Sequence, residues 1–537
     1  MKKSLLILLF TCWALFFAAF RPVMPFAAET AAFPDGTPVT GGRILMGTIG
    51  EPSNLIPYMA SDSASGEITG LLYVAPLKYD KDLNVVPWAA ASYEVLEGGR
   101  LLRFVLRDDI RWEDGVPLTA DDVEFTYKLM IDPKTPTAYS GDFLAIESFK
   151  KTGRLSFEVR YAKPFARSLM TWMGAILPKH VLEGQDIMTT PVARKPIGAG
   201  PYRLAKWDAG SMLTLTASDT YFEGRPNLDE VVYRIIPDPS TMFLELKAGK
   251  LDMMSLSPQQ YLRQTQGPKY RYLSFSYTFL GFNLEHPFFK DVRVRRAISM
   301  AIDRQSLIDG VLLGQGVPTV GPYKPGTWAY NDKLTPVRQD VDEARRLLDE
   351  AGWKKDKDGL LERDGKPFLF TILVNQGNDS RIKAAIIIQS QLKALGITVH
   401  IRTVEWAAFI KEFVNKGHFD AIILAWTITL DPDIYDVWHS SRAKPGGLNF
   451  TGYRNAEVDE LLVEARSMTD QDRRKELYDR VQEILDAEQP YCFLYVPYAL
   501  PIVQARFQGI KPALNGIMYN FDRWWVPKDL QRYHVRP

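Results

Sequence analysis

Between residues 367 and 426 the chain switches repeatedly between two hydrophobic periods, and this alternation limits the folds open to it. "PFLFTILVNQ" is a short apolar strand ending in Asn375 and Gln376. "SRIKAAIIIQSQLKAL" repeats its apolar residues at helical spacing and stops at Gly396, a residue suited to a helix C-terminus. "ITVHIRTV" alternates as a strand, and "EWAAFIKEFVNKG" reads as a second amphipathic helix stopped by Gly417. "FDAIILAW" is a third strand, of the fully buried type. The order β-α-β-α-β is the unit of a parallel sheet with right-handed crossovers.

Open parallel sheets receive ligands outside the carboxyl ends of their strands. Here those ends carry Asn375 and Gln376, then Glu405 and Trp406, then Trp426 and Thr427. Amide, indole and hydroxyl groups suit a polar organic ligand with apolar side groups. The stretch "AWTITLDPDIYDVW" (425–438) therefore sits on the rim of a cleft. Its paired aspartates have a simple structural reading. Asp431 caps a helix, Pro432 takes the first helical position and Asp433 faces the helix dipole. That reading is preferred to a catalytic or metal-binding pair.

The first half is built differently. "RLLRFVLRDDIRWEDGVPLTADDVEFTYKLM" reads strand, D-G turn, then a helix opened by Thr119 with Asp122 three residues on. "SFEVRYAKPF" and "LTLTASDTYFEGRPNLDEVVYRIIPD" add strands broken by turn residues, and "TMFLELKAGKLDMM" is a helix with a glycine turn. Strands interrupted by helices in this order predict an α/β lobe carrying an α+β insertion.

Length and charge exclude several classes. A chain of 537 residues is too long for one compact domain and predicts about three. Lys+Arg 65 against Asp+Glu 64 leaves a net charge of +1, without the basic excess of a nucleic-acid binder. "MKK" and "SLLILLFTCWALFFAAF" form the positive and apolar regions of an export signal, expected to span 1–28. An uncleaved membrane anchor is the competing reading. Cys12 lies inside the apolar core and is a poor lipidation site. With the signal removed only Cys492 is left, so no intramolecular disulfide can form, and "YCFLYVPY" reads as a core strand.

No G-x-S-x-G, H-E-x-x-H, G-x-x-x-x-G-K-[ST], C-x-x-C or G-x-G-x-x-G occurs, and the six histidines form no pair at metal-ligand spacing. No catalytic residue, metal or cofactor is expected. "GAGPYR" (198–203) is a tight turn rather than a phosphate cradle, since Pro201 and Tyr202 do not suit one. Twin-carboxylate hydrolases carry no short signature and stay open as an alternative.

The chain closely resembles the bacterial family 5 extracellular solute-binding proteins, the peptide- and nickel-binding subunits of ABC importers. The resemblance rests on "VAPLKYDKDLNVVPWAAASYEV", "FVLRDDIRWEDGVPLTADDVEFTYK", "IGAGPYRLAKWDAGSMLTL", "FNLEHPFFKDVRVRRAISMAIDRQSLID" and "LDEAGW". It implies an α/β, two-lobed, class II periplasmic-binding-protein-like fold with an inserted α+β subdomain in the first lobe. The lobes would be 41–280 plus 495–537, with the insertion at about 77–190, and 281–494. The crossings would lie near Phe279–Asn283 and Tyr491–Pro497. The implied function is capture of short peptides, or a similar small solute, by a periplasmic monomer that delivers them to inner-membrane permease subunits.

Candidate ligand contacts are Asn283, Asn375, Gln376, Arg381, Trp406, Trp426, Thr427 and Thr429. Peptide-binding relatives carry an aspartate shortly after the tryptophan matching Trp426, where it pairs with the peptide's α-amino group. This chain has Ile428 or Thr429 there, and a neutral hydroxyl does not replace an ion pair. Arg381 is the candidate anchor for an anionic group, a pair with Asp379 being the plainer reading. The missing aspartate keeps a second ligand class open: an oligosaccharide, an opine-like compound or a nickel chelate.

Overall fold

The computed structural model describes residues 36–532, apart from 61, 138, 265–266, 406–407, 429, 445–446 and 469. The expected export signal and the candidates Trp406 and Thr429 lie outside the described residues.

Two large sheets organise the chain. In the six-stranded sheet, Arg43–Thr48 runs parallel to Glu230–Ile235 on one side and to Met253–Ser255 on the other. Met212–Ala217 and Tyr202–Asp208 extend the first side and Pro501–Val503 closes the second, all antiparallel. "GAGPYR" leads into the outermost strand. A Cβ on Gly198 would stand 2.0 Å from the Leu72 carbonyl oxygen, so close backbone approach explains the glycine.

An antiparallel four-stranded sheet, Ala90–Leu96, Leu101–Leu106, Ser156–Tyr161 and Ile146–Lys151, sits beside the first sheet. The helix Ala120–Ile131 opens with the expected capping box of Thr119 and Asp122. Phe104, Phe149, Phe157 and Trp172 pack ring on ring beneath it. This core is continuous with that of the six-stranded sheet, so the insertion is fused to its neighbour rather than tethered.

The second large sheet contains the β-α-β order seen in the sequence. Leu369–Asn375 lies between Thr398–Val404 and Ala421–Thr427, all three parallel. The helix Asp379–Lys393 joins the first two, capped by Asn378 and followed by Gly396 at φ 92°. In the connection expected as a second amphipathic helix, the described residues form a π-helical segment over Phe409–Val414 that turns at Gly417. Ser276–Phe282 pairs antiparallel with Ala421–Thr427, and Tyr491–Ala499 continues the sheet. Successive residues feed two cores: Phe370, Ile372 and Val374 face one, while Leu373, Ile422 and Leu424 face the other. Burial on both faces is why these strands read as nearly unbroken apolar runs.

The expected crossings fall at strands of the second sheet. Ser276–Phe282 and Tyr491–Ala499 belong wholly to the second sheet, so Phe279–Asn283 and Tyr491–Pro497 begin or lie within paired strands. Lys269 and Tyr270 still pair with Ile502 and Pro501, so the chain passes between the sheets just before Tyr272 and at Leu500. Tyr272–Leu273 pairs with the end of Tyr491–Ala499, and Pro501–Val503 with Met253–Ser255.

A cavity at the carboxyl ends of the second sheet

The three parallel strands end on one side of the sheet, at Asn375, Val404 and Thr427. Beyond Thr427 lies a cavity of about 330 Å³, within the usual range of about 300–1,000 Å³ for small-ligand sites. Trp426, Thr427, Tyr277 and Tyr323 form one wall. Tyr139, Asp142 and Arg167, from the insertion, form the opposite one.

Trp426 is half-buried. Its ring stacks on Phe450 at 5.8 Å and its Nε1 donates to the Tyr491 hydroxyl at 3.4 Å. Antiparallel pairing with Tyr277 sets two aromatic rings side by side at the sheet end. Thr427, the last strand residue, is exposed beside them.

The two aspartates do not begin a helix. The helix there spans only Tyr435–Trp438, and its N-cap position is Ile434, which has no capping side chain. Asp431 and Asp433 instead shape the preceding turn, Asp431 Oδ1 accepting from Asp433 N and Asp433 Oδ1 from Tyr435 N, each at 3.0 Å. Burial decides their partners. Asp431 accepts from Arg474 Nη2 at 3.0 and 3.2 Å, and Asp433 from Arg466 Nε at 2.7 Å. Both carboxylates are about 5% exposed, where an unpaired charge is expensive to hold. Burial raises the Asp433 pKa above the ordinary aspartate value even against Arg466.

The insertion supplies a matching pair. Arg167 donates to Asp142 through Nε and Nη2, the latter at 2.8 Å. Burial opposes the Arg167 charge, but the Asp142 carboxylate outweighs it and its pKa rises above that of ordinary arginine. Arg167 Nη1 also stands 3.9 Å from Asp431 Oδ1, and Ala166 N donates to the Arg466 carbonyl at 2.7 Å. Two parts of the fold thus meet through charge and backbone at the cavity.

Of the expected contacts, Trp426 and Thr427 line the cavity. Asn375, Gln376 and Arg381 stand at the same sheet end but not in its wall. Asn375 is buried and its amide is committed, accepting from Arg381 Nη1 at 2.7 Å and donating to the Gln376 carbonyl at 3.2 Å. Arg381 does not pair with Asp379. Burial lowers its pKa, partly offset by Tyr495, and among the described residues it has no carboxylate partner.

Asn283 does not join the site. Its strand runs antiparallel to Ala421–Thr427, which puts Asn283 at the opposite end of the sheet, about 20 Å from Trp426 along the strand. There its amide donates to the Gly417 and Phe419 carbonyls at 3.1 and 2.9 Å, tying a loop. Sequence reading missed Asp142, Arg167, Arg466 and Arg474. Nothing in their local spacing marks them, because only the tertiary fold brings them to the aspartates. Among the described residues no group of three or more His, Cys, Asp or Glu side chains is arranged to hold a metal.

Two sheets linked by two chain crossings, with a cavity walled from both sides, define the two-lobed solute-binding class. The model of the bacterial extracellular solute-binding proteins, family 5, matches residues 84–447, and the chain belongs to this family. It is 34% identical to the oligopeptide-binding protein AppA of Bacillus subtilis, over 92% of this chain and 93% of that one. The structure of AppA in complex with a nonapeptide superposes with a TM-score of 0.79, covering 92% of this chain and all (100%) of the other. NikZ from Campylobacter jejuni in complex with Ni(L-His) is 27% identical with a TM-score of 0.80, covering 90% and 99%.

Proposed function

We propose that this protein captures short peptides between its lobes outside the cytoplasmic membrane and hands them to the permease subunits of an ABC importer. The observation that carries this reading is the cavity walled by Trp426, Thr427 and Tyr277 from one sheet and by Tyr139, Asp142 and Arg167 from the insertion. A ligand there touches both sides and stabilises their closed arrangement by its differential affinity. The lobes are residues 36–271 with 500–532, and 272–499, the crossings acting as the hinge. The protein works as an exported monomer after cleavage near Ala28, and it turns nothing over.

Stacked aromatics favour a ligand with apolar side groups, and Arg381, held by Asn375, offers a cation to its carboxylate. AppA, named for oligopeptides, favours a peptide reading over other solutes. Small-angle scattering with and without a pool of tri- to nonapeptides tests hinged capture. A smaller radius of gyration at saturation is expected, and an unchanged radius speaks against the reading.

A further inference from the structure

Among the described residues four carboxylates line the cavity, and each is engaged by an arginine. Asp142 pairs with Arg167 at 2.8 Å, Asp431 with Arg474 at 3.0 Å, Asp433 with Arg466 at 2.7 Å and Asp436 with Arg442 at 2.9 Å. Arg167 and Arg466 belong to the lining, while Arg474 and Arg442 stand just outside it; counted together the four pairs carry no net charge, the Arg442–Asp436 pair being the exposed one. Asp431 and Asp433 have their oxygens further occupied by backbone N–H groups of the turn. A ligand ammonium entering here loses its hydration and finds, among the described residues, no uncompensated anion to replace it.

Resting on the peptide reading above, we infer that the cavity does not recognise a ligand's α-amino group by charge, so that N-blocked peptides bind as well as free ones. The arginines are the specificity-determining residues, because they neutralise carboxylates that would otherwise select a free amino terminus. Their guanidinium groups come from four separate elements, which makes the pairing a property of the assembled site. Main-chain hydrogen bonds and the Trp426 face then hold the peptide backbone and side groups without regard to its amino end.

Calorimetry with one pentapeptide of alanine and phenylalanine, free or N-acetylated, tests this on the wild-type protein. Acetylation is expected to change Kd by less than threefold. In an Arg466→Gln variant, which frees Asp433, the unblocked form should bind at least tenfold more tightly than the acetylated one. A tenfold loss on acetylation in the wild type overturns the inference while leaving peptide capture intact. Failure of both forms to bind overturns the peptide reading and the inference with it.

Discussion

Arg167 Nη1 and Asp431 Oδ1 face each other at 3.9 Å across the cavity. Each has a closer partner on its own side, Asp142 at 2.8 Å for the arginine and Arg474 at 3.0 Å for the aspartate. The long pair can part without leaving either charge bare. A contact of this kind suits two lobes that separate and close again.

The two sides of that contact should respond differently to substitution. Asp431→Ala leaves the Arg474 side chain, 7% exposed, without its carboxylate, and should destabilise the fold by about 3–5 kcal/mol in urea unfolding. Arg167→Gln exposes a carboxylate already 23% accessible and should cost about 1 kcal/mol. Equal losses would mean that Arg474 does not depend on Asp431.

Trp426→Ala removes a large aromatic contact from the cavity. Such anchors are worth about 2 kcal/mol, so peptide affinity should fall roughly thirtyfold in calorimetry. The ring is only half-buried, so the melting temperature should move little by comparison. A large loss of stability with unchanged affinity would assign the ring to the core instead.

Arg381→Gln should separate peptides by their carboxyl end. Binding of a peptide acid is expected to weaken tenfold or more, and binding of the matching amide to stay within threefold. The Asn375 contact is one hydrogen bond, so unfolding should shift by about 1 kcal/mol. Equal weakening of acid and amide would remove the carboxylate role.

Glu113 gives a stability signal in a narrow pH range. Burial raises its pKa from 4.5 to about 7, while Gly198 N donates to Oε1 at 3.3 Å. The folded state holds this proton more tightly than the unfolded chain. Its contribution is therefore fully present below pH 4.5 and lost as pH rises through 7, by at most about 3 kcal/mol before solvent screening. Melting curves from pH 5 to 8 should show the wild type losing ground to Glu113→Gln as pH increases. Parallel curves would contradict the assignment.

The parallel order of Leu369–Asn375, Thr398–Val404 and Ala421–Thr427 was legible because each strand is a distinct apolar run bounded by turn residues. Thr119 and Gly396 were legible because capping is local chemistry. Asn283 was misplaced because a strand's direction within a sheet leaves no mark on its sequence. The sheet membership of Ser276–Phe282 and Tyr491–Ala499 was hard to read for a related reason: both are apolar along most of their length, with no break to show where pairing begins. The Asp431 cap failed because a D-P-D stretch suits a turn as well as a helix start, and buried arginines from distant segments decided between them.

The cavity between the lobes is expected to bind peptide. Native mass spectrometry of the protein equilibrated with a tryptic digest of casein, then desalted, reads this directly. The account predicts wild-type protein carrying masses that fragment as peptides, with occupancy lost in Trp426→Ala. Bare wild-type protein at saturating digest, or full occupancy in the variant, would contradict it.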